Sequence, residues 1–261
     1  DKGVFGMRWY RIVGRPANTN SVDVDVKIAG ERIEEVERED DVELRYMSVD
    51  IEVVPGEEGT PDPKRDPIAI ISLAFHPSFE GRRTLVLTSR RVERRNGRTR
   101  CFDDERSMLQ AFIEIVKRFD PDIIVGYNVD NFDIPYIAER LRANRLSRAV
   151  GRCREKPMTC KKVGQAYRNS IVGRVIVDVY TLVKEAVGKG LLRLKRYGLG
   201  DVSMELLGEG KVDVSHSEIG KFWNGSAEQR AKLLAYAEKD AELALRLLLE
   251  RQMLDKFIAI C

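Results

Sequence analysis

The chain is predicted to be an α/β protein, a mixed central sheet flanked by helices with a small β-rich segment on its N-terminal side. Three observations predict it. Strand-like patterns crowd residues 9–88, helical and strand periods alternate from 104 to 180, and most of the remainder has a helical period.

The elements follow in order. Trp9–Val13 and Val22–Ile28 read as short strands, the second with Val alternating with Asp or Lys. Tyr46–Val54 is an apolar strand. A Pro-, Gly- and Glu-rich turn over 55–67 leads to a second, Ile68–Phe75, and Thr84–Thr88 is the third of an antiparallel set. Asp103 or Asp104 is placed to cap a helix carrying Met108, Leu109, Phe112, Ile113, Val116 and Phe119 at helical spacing, and Pro121 ends it. Ile123–Tyr127 reads as a short buried strand. Ile134–Leu146 is a helix with Pro135 in its first turn, where a missing N–H costs nothing. Val172–Tyr180 is a further strand, and a long helix runs from about Ala227 to Leu254.

Composition excludes several classes. No apolar run approaches the ~18 residues of a membrane span, and no basic-then-apolar start resembles a signal peptide, so a soluble intracellular protein is expected, cytoplasmic or nucleoid (nuclear in a eukaryote). Cys101, Cys153, Cys160 and Cys261 show no C-x-x-C spacing and the histidines are only His76 and His216, which argues against structural zinc and a disulfide framework. Charged residues at 33% exceed the usual quarter and lean towards a heat-tolerant source. The net charge of +3 hides two basic runs. Residues 140–174 hold eleven Lys or Arg against Glu155 alone, and 82–100 hold eight Arg against Glu93 alone. Each reads either as a solvated loop or as a track for a nucleic-acid backbone, which gains affinity by counterion release.

Four carboxylates carry the chemistry. Asp50 and Glu52, at i and i+2 of a strand, project from one face while Val49, Ile51 and Val53 take the other. Two such charges side by side repel unless a cation lies between them. Asp133 follows a Gly-Tyr-Asn turn, either as a helix cap or as a third acid. Asn128 serves either its own turn or a phosphate or sugar. Tyr236 and Asp240, at i and i+4, share one face of the long helix beside the stripe Leu233, Leu234, Ala237, Ala241, Ala244 and Leu245. Cleaving a phosphodiester with two divalent cations ~4 Å apart needs a cluster of hard oxygen ligands of this kind.

The segments Met47–Glu52, Gly126–Asn128 with Phe132–Tyr136, and Tyr236-x-x-x-Asp240 resemble the three motifs of the proofreading 3′–5′ exonuclease domain of family-B DNA polymerases, archaeal and eukaryotic delta-type members in particular. Gly173–Asp178 and Lys195–Leu199 resemble family core segments, and Asp1–Val4 with Gly6, Trp9 and Tyr10 resembles the tail of the family's N-terminal domain. The resemblance implies a ribonuclease-H-like fold over 46–261, with 1–45 a remnant of the N-terminal domain. It implies two Mg²⁺ or Mn²⁺ ions held by Asp50, Glu52, Asp133 and Asp240, with Asp50 bridging them and Asp133 on the leaving-group side. Tyr236 would orient the attacking water, and Asn128 and Phe132 would contact substrate. The absence of a histidine near Asp240 favours the tyrosine subtype, and Asp178, a further acid, is expected to be structural or to support the metal ligands from behind rather than to be one of them. Polymerase motifs are missing before the chain stops at Cys261, so an excised fragment or free-standing relative is expected.

The expected partners are a single-stranded 3′ DNA end, the polymerase domain of a full-length protein and, as the family admits, a sliding clamp; no membrane is expected. Two alternatives stand beside the DNA exonuclease: a non-catalytic nucleic-acid-binding or scaffolding domain of the same fold, and an exonuclease acting on RNA, since sequence does not read sugar identity.

Overall fold

Three consecutive strands with apolar side chains on both faces form the middle of a six-stranded mixed sheet. They are β3 (Tyr46–Val53), β4 (Ile68–Phe79) and β5 (Arg82–Thr88), paired antiparallel as expected. The computed structural model describes residues 8–38, 42–56, 59–93, 97–210 and 214–250. The resemblance at 1–7, four residues of the long helix (251–254) and Cys261 lie outside them.

The sheet order is β10-β7-β3-β4-β5-β6, with β7 (Ile123–Gly126) and β10 (Val175–Asp178) parallel to β3, and β6 (Thr99–Cys101) parallel to β5. On one face lie α1 (Glu105–Phe119) and α2 (Asp133–Ala143), packed on Val49, Ile51 and Val53. Asp104 caps α1, its carboxylate accepting the Ser107 N–H at 2.7 Å. The other face is covered by α6 (Ala227–Glu250), whose buried Ala237, Ala241 and Ala244 let the helix approach the strands closely. Three shorter helices complete that layer, α3 (Val179–Gly188), α4 (Leu199–Leu207) and α5 (Ile219–Asn224). The architecture is thus mixed α/β, a central sheet flanked by helices.

The N-terminal β segment is a separate antiparallel ribbon of β1 (Trp9–Pro16) and β2 (Ile28–Val36). The strand expected over Val22–Ile28 does not form. Asp23 N–H bonds to the Arg152 carbonyl and Arg154 N–H to the Ser21 carbonyl, so that stretch is drawn onto 152–154, and the alternating pattern is consumed by tertiary contact. The strand expected to reach Tyr180 stops at Asp178, because the Asp178 carboxylate accepts the Tyr180 N–H and starts α3. A hairpin inside the basic run, β8 (Thr159–Val163) and β9 (Ala166–Ser170), was not legible in the sequence. Cys101, Cys153 and Cys160 are free thiols. Among the described residues no helix is long and apolar enough to cross a membrane.

Candidate active site

β7 pairs with β3 only as far as Ser48, so the edge of β3 beyond that point is open. Gly126 ends β7, and it has to be glycine: a Cβ there would stand 2.6 Å from Val129 Cβ and 2.9 Å from the Val49 carbonyl. The chain then turns through Asn128 at φ 63°, in the left-handed region that Asn tolerates. The turn delivers Asp133 to the open edge, where its carboxylate accepts the Ile51 N–H at 3.0 Å. Asp133 is therefore no cap of its own helix; Phe132 stands at the cap position without a side-chain bond.

Asp178 holds the turn from the other side. Its carboxylate accepts the N–H groups of Asn128 at 2.9 Å and Asp130 at 3.2 Å as well as that of Tyr180. This agrees with the structural role expected for it. The Asn128 side chain accepts from Asn131 Nδ2 at 3.3 Å, serving its own turn.

These elements enclose a cavity of about 1090 Å³. Asp50, Glu52, Asn128, Phe132, Asp133, Tyr236 and Asp240 all line it, so the three distant motifs meet in one place. Glu52, Asp133 and Asp240 are 5, 3 and 5% exposed, and Asp50 is half-buried. Burial pushes the Asp133 carboxyl up to about 7. Burial, followed by the charges of Glu52, Asp240 and Asp50, pushes the Tyr236 hydroxyl far above its ordinary range, and that hydroxyl is hydrogen-bonded to Asp240. Carboxylates of β3 and of α6 thus act on one phenol.

Sequence reasoning missed the far wall. Tyr127, Tyr180 and Tyr197 line the cavity, with the Tyr127 and Tyr180 rings edge-to-face at 5.7 Å and the Tyr127 hydroxyl donating to the Tyr197 carbonyl. The Pro/Gly loop after β3 adds Pro55, Gly56, Gly59 and Pro61. No spacing links the three tyrosines, because each comes from a different part of the fold.

Part of each basic run is taken up in ion pairs, most of them at the surface. Arg140 pairs with Glu105, Arg142 with Glu139, Arg154 with Asp23, and Arg152 and Arg174 with Asp120. In the other run Arg91, Arg98 and Arg100 pair with Asp103, Glu238 and Glu80. The exposed cations Lys161, Lys162 and Arg168 lie on the β8–β9 hairpin, which Asn169 and Tyr167 tie to the Asp130–Asn131 turn beside the cavity. Arg145 and Lys156 of the same run are exposed as well.

The profile of the DNA polymerase family B exonuclease domain matches residues 1–202. This chain belongs to that family. Similar family-B proteins include the DNA polymerase delta catalytic subunits of Bos taurus (37% identical, 80% of this chain, 20% of that protein) and Plasmodium falciparum (30% identical, 95% of this chain, 25% of that protein). The solved family B DNA polymerase of the hyperthermophilic archaeon Pyrobaculum calidifontis superposes with a TM-score of 0.73 at 29% identity, covering 95% of this chain and 29% of that one. The chain therefore spans a quarter or less of these delta subunits. Tyr236 and Asp240 fall beyond the span the family B profile matches.

The donor chemistry of the cavity fits a divalent cation: its acids offer carboxylate oxygens only, the ligands that Mg²⁺ and Mn²⁺ prefer. Among the described residues, however, no group of three or more His, Cys, Asp or Glu side chains is gathered closely enough to hold a metal as it stands. The acids share a cavity but not yet a coordination sphere.

Proposed function

We infer that this chain is a metal-dependent exonuclease that removes nucleotides from the 3′ end of single-stranded or frayed DNA, releasing 5′-mononucleotides, as the proofreading part of a family-B polymerase. The observation that carries the reading is the meeting of Asp50, Glu52, Asp133, Asp240 and Tyr236 on one cavity. The four acids would hold two divalent cations, which when bound supply an activated water and stabilise charge on the departing 3′ oxygen.

The chain's own residues do the rest. Asp133, anchored on the Ile51 N–H, keeps α2 in register with the strand bearing Asp50 and Glu52. Tyr236, its hydroxyl held high by burial and the neighbouring carboxylates, is suited to act as a hydrogen-bond donor that orients a water rather than as a base. Phe132 and the tyrosine wall offer faces for stacking bases, worth about 1–3 kcal/mol per base. Lys161, Lys162 and Arg168 would meet backbone phosphates. The division of the chain near residue 45 into an N-terminal-domain remnant and the exonuclease unit belongs to this proposal, as do docking on a polymerase domain and on a sliding clamp.

The decisive test is degradation of a labelled single-stranded oligonucleotide in Mg²⁺ or Mn²⁺. Asp50→Ala is expected to abolish it; undiminished cleavage overturns the assignment. One observation favours a second reading, a non-catalytic nucleic-acid-binding domain: the side chains are not gathered for a metal. Metal-independent oligonucleotide binding with no cleavage at any cation concentration would select it.

A further inference from the structure

One wall of the cavity comes from the segment between β3 and β4, through Pro55, Gly56, Gly59 and Pro61. A Pro/Gly-rich stretch has no ladder of its own, so its backbone groups need other partners to fix its shape. The buried Asp66 supplies them. Its Oδ2 accepts the Asp62 N–H at 3.0 Å and its Oδ1 the Arg65 Nε–H at 2.9 Å. It also takes a hydrogen bond from the Gly56 backbone, and a Cβ on Gly56 would lie only 3.3 Å from Asp66 Oδ1. One carboxylate gathers both limbs of the loop.

Helix α2 then fixes that unit against the site. The Tyr136 hydroxyl donates to the Asp66 carbonyl at 2.8 Å. Arg140 Nη1 donates to the Pro63 carbonyl at 3.1 Å and its Nη2 to Glu105 at 2.6 Å, in an ion pair about a tenth exposed. Glu105 accepts the Ile68 N–H at 2.8 Å, closing the ring. Asp133, Tyr136 and Arg140 stand at i, i+3 and i+7 of α2, on one face. A single rigid helix therefore carries a candidate site acid at one end and, further along, the residues that hold the 55–66 part of the cavity lining.

We propose that Asp66 and Tyr136 are positioning residues that set the width of the cavity mouth for a single-stranded nucleic-acid 3′ end. They act on binding and on discrimination against duplex, leaving the chemical step alone. The proposal rests on the exonuclease reading for its substrate, but its measurement does not. Merely structural hydrogen bonds would change stability and leave end recognition untouched.

Two variants test it on the whole chain. Tyr136→Phe removes one hydroxyl and keeps the ring against Phe132, whose centroid is 5.4 Å away. Asp66→Asn keeps the shape and loses one acceptor. In EDTA, the Kd of a fluorescent single-stranded DNA oligonucleotide is expected to rise about five- to tenfold, the cost of one misplaced hydrogen bond. The Kd of a blunt duplex should change less, so discrimination falls. With Mg²⁺, KM should rise in step while kcat stays within about twofold, the pattern of lost uniform binding. Unchanged Kd and KM, or a fall in kcat at constant KM, overturns the proposal. Should Asp66→Asn fail to fold, Tyr136→Phe decides alone. The Kd in EDTA is read without cleavage, whereas Asp50→Ala tests the cleavage site, so the two failures give different results.

Discussion

The Asp133 carboxylate accepts the Ile51 N–H at 3.0 Å, fastening the start of α2 to the strand between Asp50 and Glu52. One group thus has two duties, holding the backbone and presenting an acid to the cavity. Asp133→Asn separates them, because the amide oxygen still accepts the bond. Its thermal midpoint is expected within a few degrees of the parent, with nuclease activity lower by roughly a hundredfold or more. Asp133→Ala should in addition lose about 1–3 kcal/mol from an unsatisfied buried N–H, read by urea melts. Full activity in Asp133→Asn would remove it from the site.

Tyr236 and Asp240 share one hydrogen bond inside the cavity. Tyr236→Phe keeps the buried ring and loses the hydroxyl, so folding should be nearly unaffected. Single-turnover cleavage is expected to slow about 10- to 100-fold, the typical cost of one orienting group. The residual rate should show the parent's pH profile if the hydroxyl only orients water. A profile shifted by the variant would make Tyr236 a base and contradict this role.

Four acids on one cavity resist folding less once a cation joins them. Addition of Mn²⁺ at about 100 times its Kd is expected to stabilise the chain by about 2.7 kcal/mol per site. Calorimetry with and without the ion checks this, and the shift should vanish in Asp50→Ala and Asp240→Ala. A stabilisation that survives both substitutions would place the ion elsewhere.

The β8–β9 hairpin holds the exposed cations Lys161, Lys162 and Arg168. Replacing all three by Ala should lower the slope of log K against log salt for single-stranded DNA by about 2, at ~0.7 per phosphate contact. Replacing Arg174, whose side chain is buried on Asp120, should destabilise the fold and leave that slope alone. Fluorescence titrations from low to moderate salt distinguish the two.

The hydrogen bond to Arg65, with the Asp62 and Gly56 N–H groups, holds the Asp66 carboxyl down at about 2, below its ordinary 3.8. A folded-state pKa below the unfolded value gives stability that is present above about 3.8 and lost as pH falls through about 2. The difference in thermal midpoint between the parent and Asp66→Asn should therefore be full at pH 5 and shrink towards pH 2. A pH-independent difference would mean that charge plays no part in holding the loop.

Much of this was legible in the sequence wherever the signal was local. The i, i+2 acids of β3, the Asp104 cap and the i, i+4 pair on α6 each sit in one element with its own period, and each was found where expected. Asp133 shows the limit. A carboxylate at a helix start reads as a cap, and only the early departure of β7 from β3 turns it towards Ile51, 82 residues away. The basic runs show the same limit. Charge density is visible in one dimension, but the partners of Arg140, Arg152 and Arg174 are not. The tyrosine wall and the Asp66 ring depend wholly on tertiary convergence, which no periodicity records.

Asp120 gathers Arg45, Arg152 and Arg174, and Asp122 adds a second bond to Arg152, all where β3, β7 and β10 begin. The carboxylates of the cavity lie towards the opposite ends of those strands. Ion clusters keep their worth on warming while apolar stabilisation levels off, because charge becomes cheaper to strip of water. Heat should therefore loosen the protein from its working end first, while the ionic knot keeps the strand starts in register. Such a molecule would loosen around its cavity before its strands lost their alignment.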